Sequence, residues 1–311
     1  MASVIGESVS APAAGEVIER RRRPLGNPWR RPWGLEGFTV LYIAWSILPI
    51  AVAVLFSFNK GASQATWQGF STKWYVGGWI QSVANNPELH QAVIQTLRLA
   101  VLTTVICVPI GVAFAIGIDR WRGRTSGGLN IVMIFSFVIP ELLLAVALFM
   151  LVTQLLTFIQ LGTTAEVAGL VVWNLSWPAI IVRARLVTIG KTYEEAAADL
   201  GASQLGAIRR VLMPMLMPAI FASAVLVFAS TIDDFVIVEQ VSSTAATQPM
   251  SVLIYSNVHG GLQGPALNAL ATIMLFFSLV VAVIGYVAYR WMTRGERREG
   301  ATEALTSIAG M

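Results

Sequence analysis

Three acids stand where acids are costly. Glu141, Asp233 and Asp234 fall inside apolar runs long enough to cross a bilayer. An ionisable side chain at the centre of such a helix costs roughly 2.5–3.5 kcal/mol on insertion scales. These carboxylates must therefore face a partner, a wet cavity or a cationic ligand. One chemistry that fits is a path for a polyamine, which carries two or more ammonium groups on a methylene chain. Carboxylates hold the ammonium groups, and aromatic faces hold both the charge and the stem. Trp173 and Trp177, four residues apart and so on one helical face, are the aromatic candidates. Other readings stand beside this one. Arg98 lies at a depth similar to the Asp pair and can neutralise one Asp or snorkel to the interface. The two tryptophans can pack between helices. Pro140, just before Glu141, removes a backbone hydrogen bond and can kink its helix.

A second cluster lies in a polar stretch, 192–214. Its Glu- and Ala-rich start is a strong helix former, and Thr192 followed by Glu195 fits a capping box. Gly201 is placed to end the short helix in a left-handed turn. A further helix then leads to Pro214 and Pro218. This predicts a short helix, a corner and a rigid connection into the membrane, able to relay a push from a partner to two spans. An ordinary amphipathic surface helix has the same composition. Catalytic signatures are absent: the sequence has no GxxxxGK[ST], GxSxG or HExxH. Cys107 is the single cysteine, so there is no disulfide or CxxC site, and His90 and His259 are too far apart in sequence to suggest a metal centre.

The elements that position these residues follow from composition. Of 311 residues, 56% are hydrophobic and 12% charged, against about 25% charged in a soluble domain. Mean hydropathy is +0.68. This excludes a soluble globular chain and a disordered one, and predicts an all-α membrane protein. Six spans of roughly 20 residues are expected at Phe38–Phe58, Leu99–Ile118, Ile131–Thr153, Val167–Val187, Pro218–Val238 and Ala269–Tyr289. Eighteen of the 21 Lys and Arg residues fall on one side: Arg20–Arg23, Arg30 and Arg31; Arg120, Arg122 and Arg124; Arg183, Arg185, Lys191, Arg209 and Arg210; Arg290, Arg294, Arg297 and Arg298. Lys60 and Lys73 lie on the other. This bias places both termini in the cytoplasm and explains the net charge of +4 by anionic lipid, without nucleic acid. The expected organisation is a mobile basic segment 1–37, a six-span domain 38–292 and a cytoplasmic tail 293–311. The loop 59–90 carries Trp67, Phe70, Trp74, Tyr75 and Trp79, either as an interfacial aromatic belt or as a docking surface.

The polar stretch resembles the EAA motif of binding-protein-dependent ABC importer permeases. Glu195-Ala196-Ala197 is followed after three residues by Gly201, and after nine more by Val211-Leu212-Met213-Pro214. Val and Met replace the family's Ile and Leu. Three other stretches are similar to the second permease of spermidine/putrescine transporters: Trp67–Tyr75, Asp233-Asp234-Phe235 and Asn268–Ile273. The resemblance implies a MetI-like permease fold and a bacterial inner-membrane subunit of a polyamine importer working by alternating access. It implies a second permease chain in a heterodimer, two ATPase subunits that carry the ATP and Mg, and an extracytoplasmic solute-binding protein. The chain itself would be no enzyme and hold no cofactor. The EAA loop would be the coupling helix, with Glu195 as the charged contact, Ala196 and Ala197 as the close-packed face, Gly201 as the turn and Pro214 as the end of the motif. Alternatives are a cation-coupled secondary transporter or channel, an ABC permease for another small solute, or a signalling protein whose Glu-Ala loop binds a regulator.

Overall fold

Proline and glycine decide where the helices break. The computed structural model describes residues 33–63, 65–77, 82–120, 124–244, 246–258 and 264–293. The arginines between 20 and 31, Trp79, Arg122, His259, Arg294, Arg297 and Arg298 lie outside that set, as do most of the basic segment and the tail. The chain divides into two compact units, Met1–Ile50 and Ala51–Met311. In the first unit, the described residues open helix α1 (Trp33–Ser57), and all of them are exposed.

In the second unit a short helix α2 (Lys73–Val76) precedes α3 (Pro87–Arg120). At 34 residues, α3 is about 51 Å long, well beyond the expected span from Leu99. Pro87 at its first position is preset for helix, and the Asn86 carboxamide accepts from Glu88 N at 2.9 Å. The added turns carry Leu89 and Ala92 into a cluster with Trp74, Met250, Leu253, Ala266 and Leu270.

The expected third span, Ile131–Thr153, is not one helix. It is α4 (Arg124–Val138) and α5 (Glu141–Met150), the latter prolonged by a π-helical turn at Leu151–Leu155. Pro140 is extended, at φ −60° and ψ 129°, and a proline disfavours helix in the residue before it, here Ile139. The fourth span comprises α6 (Thr163–Asn174) and α7 (Ser176–Ile189), joined by a Leu175 of helical dihedrals. Next come α8 (Thr192–Asp199) and α9 (Gln204–Ala207), then a π-helical turn, Ile208–Leu212, that feeds α10 (Met213–Asp233). The expected fifth span, Pro218–Val238, also breaks: α10 stops at Asp233 and α11 (Val236–Val241) starts afresh. After α12 (Met250–Val258), the 29-residue α13 (Gly264–Met292) closes the unit. Among the described residues, five helical stretches are long and apolar enough to cross a membrane: 33–57, 87–120, 163–189, 204–233 and 264–292.

The centre of the unit is the contact of α3, α7 and α10. Cys107, Val112, Val182, Leu186, Leu216 and Val227 pack there. Gly111 permits the approach, since a Cβ at that position would lie 2.5 Å from Pro178 Cγ. Between spans in lipid, such small-residue contact and van der Waals packing replace the hydrophobic drive. Gln95 donates to Thr163 Oγ1 at 2.8 Å and Arg120 to the Gly190 carbonyl at 2.9 Å. Hence α3 runs in the same direction as α6 and α7.

The loop after α1 is folded on itself. Trp74 is fully buried and its Nε1 donates to the Asn59 carbonyl at 2.7 Å. Asn59 Nδ2 donates to the carbonyls of Ser63 and Thr66, each at 2.9 Å. Phe58 stacks on Phe70 and Tyr75. Trp74 is therefore interior, neither belt nor docking surface, whereas Trp67 and Phe70 stay exposed.

Candidate functional site

Two places concentrate polar groups, one at the Arg120 end of α3 and one at the helix breaks toward its other end. The first is the elbow from Gly190 to Pro214. The expected capping box does not form: the cap of α8 is Lys191, whose side chain makes no capping bond. Thr192 is already inside the helix and exposed. The first turn is closed instead by the Lys191 carbonyl, which accepts from Glu194 N and Glu195 N at 3.0 Å each. The far end behaves as expected. Gly201 has φ +84°, Ala202 N donates to the Ala197 carbonyl and Gly201 N to that of Ala198, both at 2.9 Å. A left-handed residue is what lets these last carbonyls be satisfied. Ser203 then caps α9, its Oγ accepting from Gly206 N at 3.2 Å.

This elbow presents its motif outward. Glu195, Ala196 and Gly201 are exposed and Ala197 half-buried, while Leu200 is 90% and Leu205 76% exposed. The neighbouring acid has a different role: Glu194 is bound by Arg120. Beside them lies a cavity of about 340 Å³ lined by Arg120, Lys191, Glu194, Glu195, Ala198 and Gln204 among others. Pro214 stands at the second position of α10, directly after the π-helical turn.

The second place is built by the two broken spans. Glu141 opens α5, where the helix dipole favours a negative charge. Asp234 follows the end of α10 in extended backbone. The side chains of Glu141 and Asp234 lie close enough to interact with one another. Asp234 is only 7% exposed; its Oδ1 accepts from Ile237 N at 3.2 Å and its carbonyl from Ser251 Oγ at 2.6 Å. Phe235 and Tyr255 meet with ring centroids 4.7 Å apart. So these acids stand at helix ends, not at mid-helix as the apolar runs suggested. Two neighbouring carboxylates can hold a cation between them.

Other expected residues are not drawn into this place. Asp233, next in sequence, is exposed. Arg98 is exposed on α3 and forms no ion pair with either Asp among the described residues. Trp177 packs edge-on against Phe137 at 5.0 Å, so α7 meets α4 there, and Trp173 is half-buried. Two features were missed. Glu166 is fully buried and accepts from Gln95 Nε2 at 2.7 Å. Starting the fourth span at Val167 left this acid in a loop. Tyr255 carried no signal either, for nothing in sequence links it to Phe235.

Comparison with known proteins places these features. A family profile described as "Binding-protein-dependent transport system inner membrane component" matches residues 107–298. The spermidine/putrescine transport system permease protein PotC of Escherichia coli (strain K12) is 34% identical over 263 residues, covering 83% of this chain and 95% of that protein. The putrescine transport system permease protein PotI of the same strain is 31% identical over 279 residues, covering 88% and 93%. Among solved structures, a bacterial ABC transporter involved in the import of the acidic polysaccharide alginate superposes with TM-score 0.66 at 16% identity, over 85% of this chain and 97% of that one. The MetNI methionine ABC transporter, in an inward-facing conformation, gives 0.55 at 18% identity, over 66% and 94%. At these identities the structures show a shared fold.

Proposed function

The chain belongs to the family of inner-membrane components of binding-protein-dependent transport systems, and from that premise we propose that it is a permease subunit of an ATP-driven polyamine importer. The observation that carries the substrate is the meeting of Glu141 and Asp234 at facing helix breaks, beside the Phe235–Tyr255 pair. An ammonium group can sit between the two carboxylates, and the aromatic faces suit the methylene stem. Broken helices facing an ionic path are a recurrent transporter device. Asp233, at the exposed end of the same break, would receive a cation earlier or later along the path. Trp173 and Trp177 would border the path rather than hold the charge.

ATP would be hydrolysed on two partner ATPase subunits, which hold ATP and Mg. The exposed elbow, with Glu195, Ala196, Ala197 and Gly201, would be seated on one of them. A second permease chain would complete the path, and an extracytoplasmic solute-binding protein would deliver the polyamine. Alternating access follows: closure of the ATPases on ATP swings the elbow, and the helices above it change the side to which the acidic pair opens.

Six spans with cytoplasmic termini fit this scheme. The direction of α3 and of α6–α7 supports them: α3 ends at Arg120, yet α6 begins beside Gln95 at the opposite end. The broken α4–α5 pair would then bring the chain back across, with 1–37 and 293–311 as cytoplasmic extensions of a domain spanning 38–292.

Purification through a tag on this chain, then reconstitution, tests the proposal. The complex should contain an ATPase and take up labelled spermidine or putrescine only with ATP inside the equivalent compartment. Glu141→Gln and Asp234→Asn should each lower uptake by about tenfold or more, since each removes a charge-assisted contact of about 1.5–3 kcal/mol. Asp233→Asn should do less. A chain that isolates without an ATPase, or a complex indifferent to polyamines, would sink the reading.

A further inference from the structure

Arg120 ends α3, 74 residues from its partner Glu194 in α8. Its Nε donates to Glu194 Oε1 and Oε2 at 2.9 and 3.1 Å, and its Nη2 to Glu194 Oε1 at 2.5 Å. The same Nη2 donates to the Gly190 carbonyl at 2.9 Å, and Nη1 reaches the carboxylate of Asp119. The two side chains of the Arg120–Glu194 pair are 15% and 19% exposed. One guanidinium thus joins the end of α3, the last carbonyl region of α7 and the first turn of α8. A forked, charge-assisted pair of this kind is stronger and more directional than a solvated surface pair, whose contribution is about 0–1 kcal/mol.

The connectivity gives the contact its meaning. Backbone joins α8 to α7 through Gly190 and Lys191, and to α10 through α9 and the π-helical turn. It offers α8 no short covalent route to α3. Yet α3 is the helix that packs on α6, α7 and α10, and that carries Gln95 against Glu166. Glu194 faces inward to Arg120 while the adjacent Glu195 stays exposed, so consecutive acids divide two tasks between them.

We propose that Arg120 and Glu194 form a latch that makes α3 a third helix driven by the elbow. A displacement of α8 then moves α3, α7 and α10 together. Arg120 is a positioning residue; it touches neither substrate nor nucleotide. The proposal rests on the importer reading, and its test separates the two.

The assembled transporter, with partner permease, ATPases and binding protein, is placed in proteoliposomes as wild type, Arg120→Ala, Glu194→Ala, the double variant and Arg120→Lys. Spermidine uptake per ATP hydrolysed should fall about fivefold or more in each alanine variant, the lower range for coupling between sites. All should still assemble. The double variant should be no worse than Arg120→Ala, and Arg120→Lys should recover part of the loss. Amide hydrogen exchange across residues 192–199 should rise in Arg120→Ala. An unchanged transport-to-hydrolysis ratio, or losses that add in the double variant, overturns the latch. If even the wild type hydrolyses ATP without moving spermidine, the substrate assignment fails instead. Exchange across 192–199 then decides alone: no rise in Arg120→Ala removes the latch.

Discussion

At the scale of single residues, the elbow depends on one backbone conformation. Gly201 sits at φ +84°, and a Cβ built there meets no atom within 4 Å. Space is therefore no obstacle; the left-handed conformation is. It costs an ordinary L-residue about 1–2 kcal/mol, and asparagine less. Gly201→Val should uncouple ATP hydrolysis from uptake while the chain still inserts and assembles, and Gly201→Asn should retain most transport. Full uptake by the valine variant, measured beside its ATPase rate, would contradict a coupling role for this corner. This residue was legible beforehand because a glycine after a Glu-Ala helix has few other uses. Glu194 was not. It reads like Glu195 in every local respect, and only the fold brings Arg120 to one and leaves the other in the open. Capping failed for a related reason: Thr192 and Glu195 have the right spacing, but the chain leaves Gly190 at φ +71° and enters the helix one residue early.

At the scale of elements, apolar length located the helices but not their interruptions. Pro140 announced a kink and produced a full break, because Pro140 itself is extended, at ψ 129°. The break after Asp233 had no proline to announce it. Asp234 accepts from Ile237 N and Ser251 binds its carbonyl, so one local bond and one from seventeen residues away hold the new helix start. The extension of α3 back to Pro87 was missed because its added turns mix polar residues such as Glu88, His90, Gln91 and Gln95 with apolar ones and fall below membrane hydropathy. Helix packing had a clearer source in small residues. Gly111 lets α3 lie against Pro178 of α7, and a Cβ there would also be 2.9 Å from Pro178 Cβ and 3.2 Å from Ala179 N. Backbone and ring cannot swing aside as a flexible side chain does. Gly111→Val should therefore cost more than the usual 1–3 kcal/mol of overpacking, and lower the thermal stability of the purified complex. Gly117→Val, on the same helix with nothing within 4 Å, should leave it nearly unchanged. Equal melting of the two variants would mean that the α3–α7 contact is looser than the geometry requires.

At the scale of the molecule, the decisive matter is how often the chain crosses. The exposed apolar faces of α1 and α13, including Ile43, Leu48, Leu279, Ile284 and Val287, demand lipid or an apolar partner. Among the described residues five helices are long and apolar enough to cross, with 141–155 as a shorter apolar helix. Five would put the two ends of the chain on opposite sides; six returns both to one. The bonds favour the proposed return. Arg120 is tied to the elbow and Gln95 to the start of α6, so a traverse by residues 124–155 between those points, though Pro140 divides them, is the expected arrangement. A direct measurement is open because Cys107 is the single cysteine and is buried. Lys60→Cys, Gln160→Cys and Ala202→Cys each place a thiol at an exposed position, in the loop before α2, between α5 and α6, and in the elbow. A membrane-impermeant maleimide added to intact spheroplasts should modify the thiols at 60 and 160 and spare the one at 202, which should react only after lysis. If position 160 instead reacts with 202, the broken pair dips into the bilayer and returns. The acidic pair would then open toward a single side, and an alternating path through Glu141 and Asp234 would be impossible.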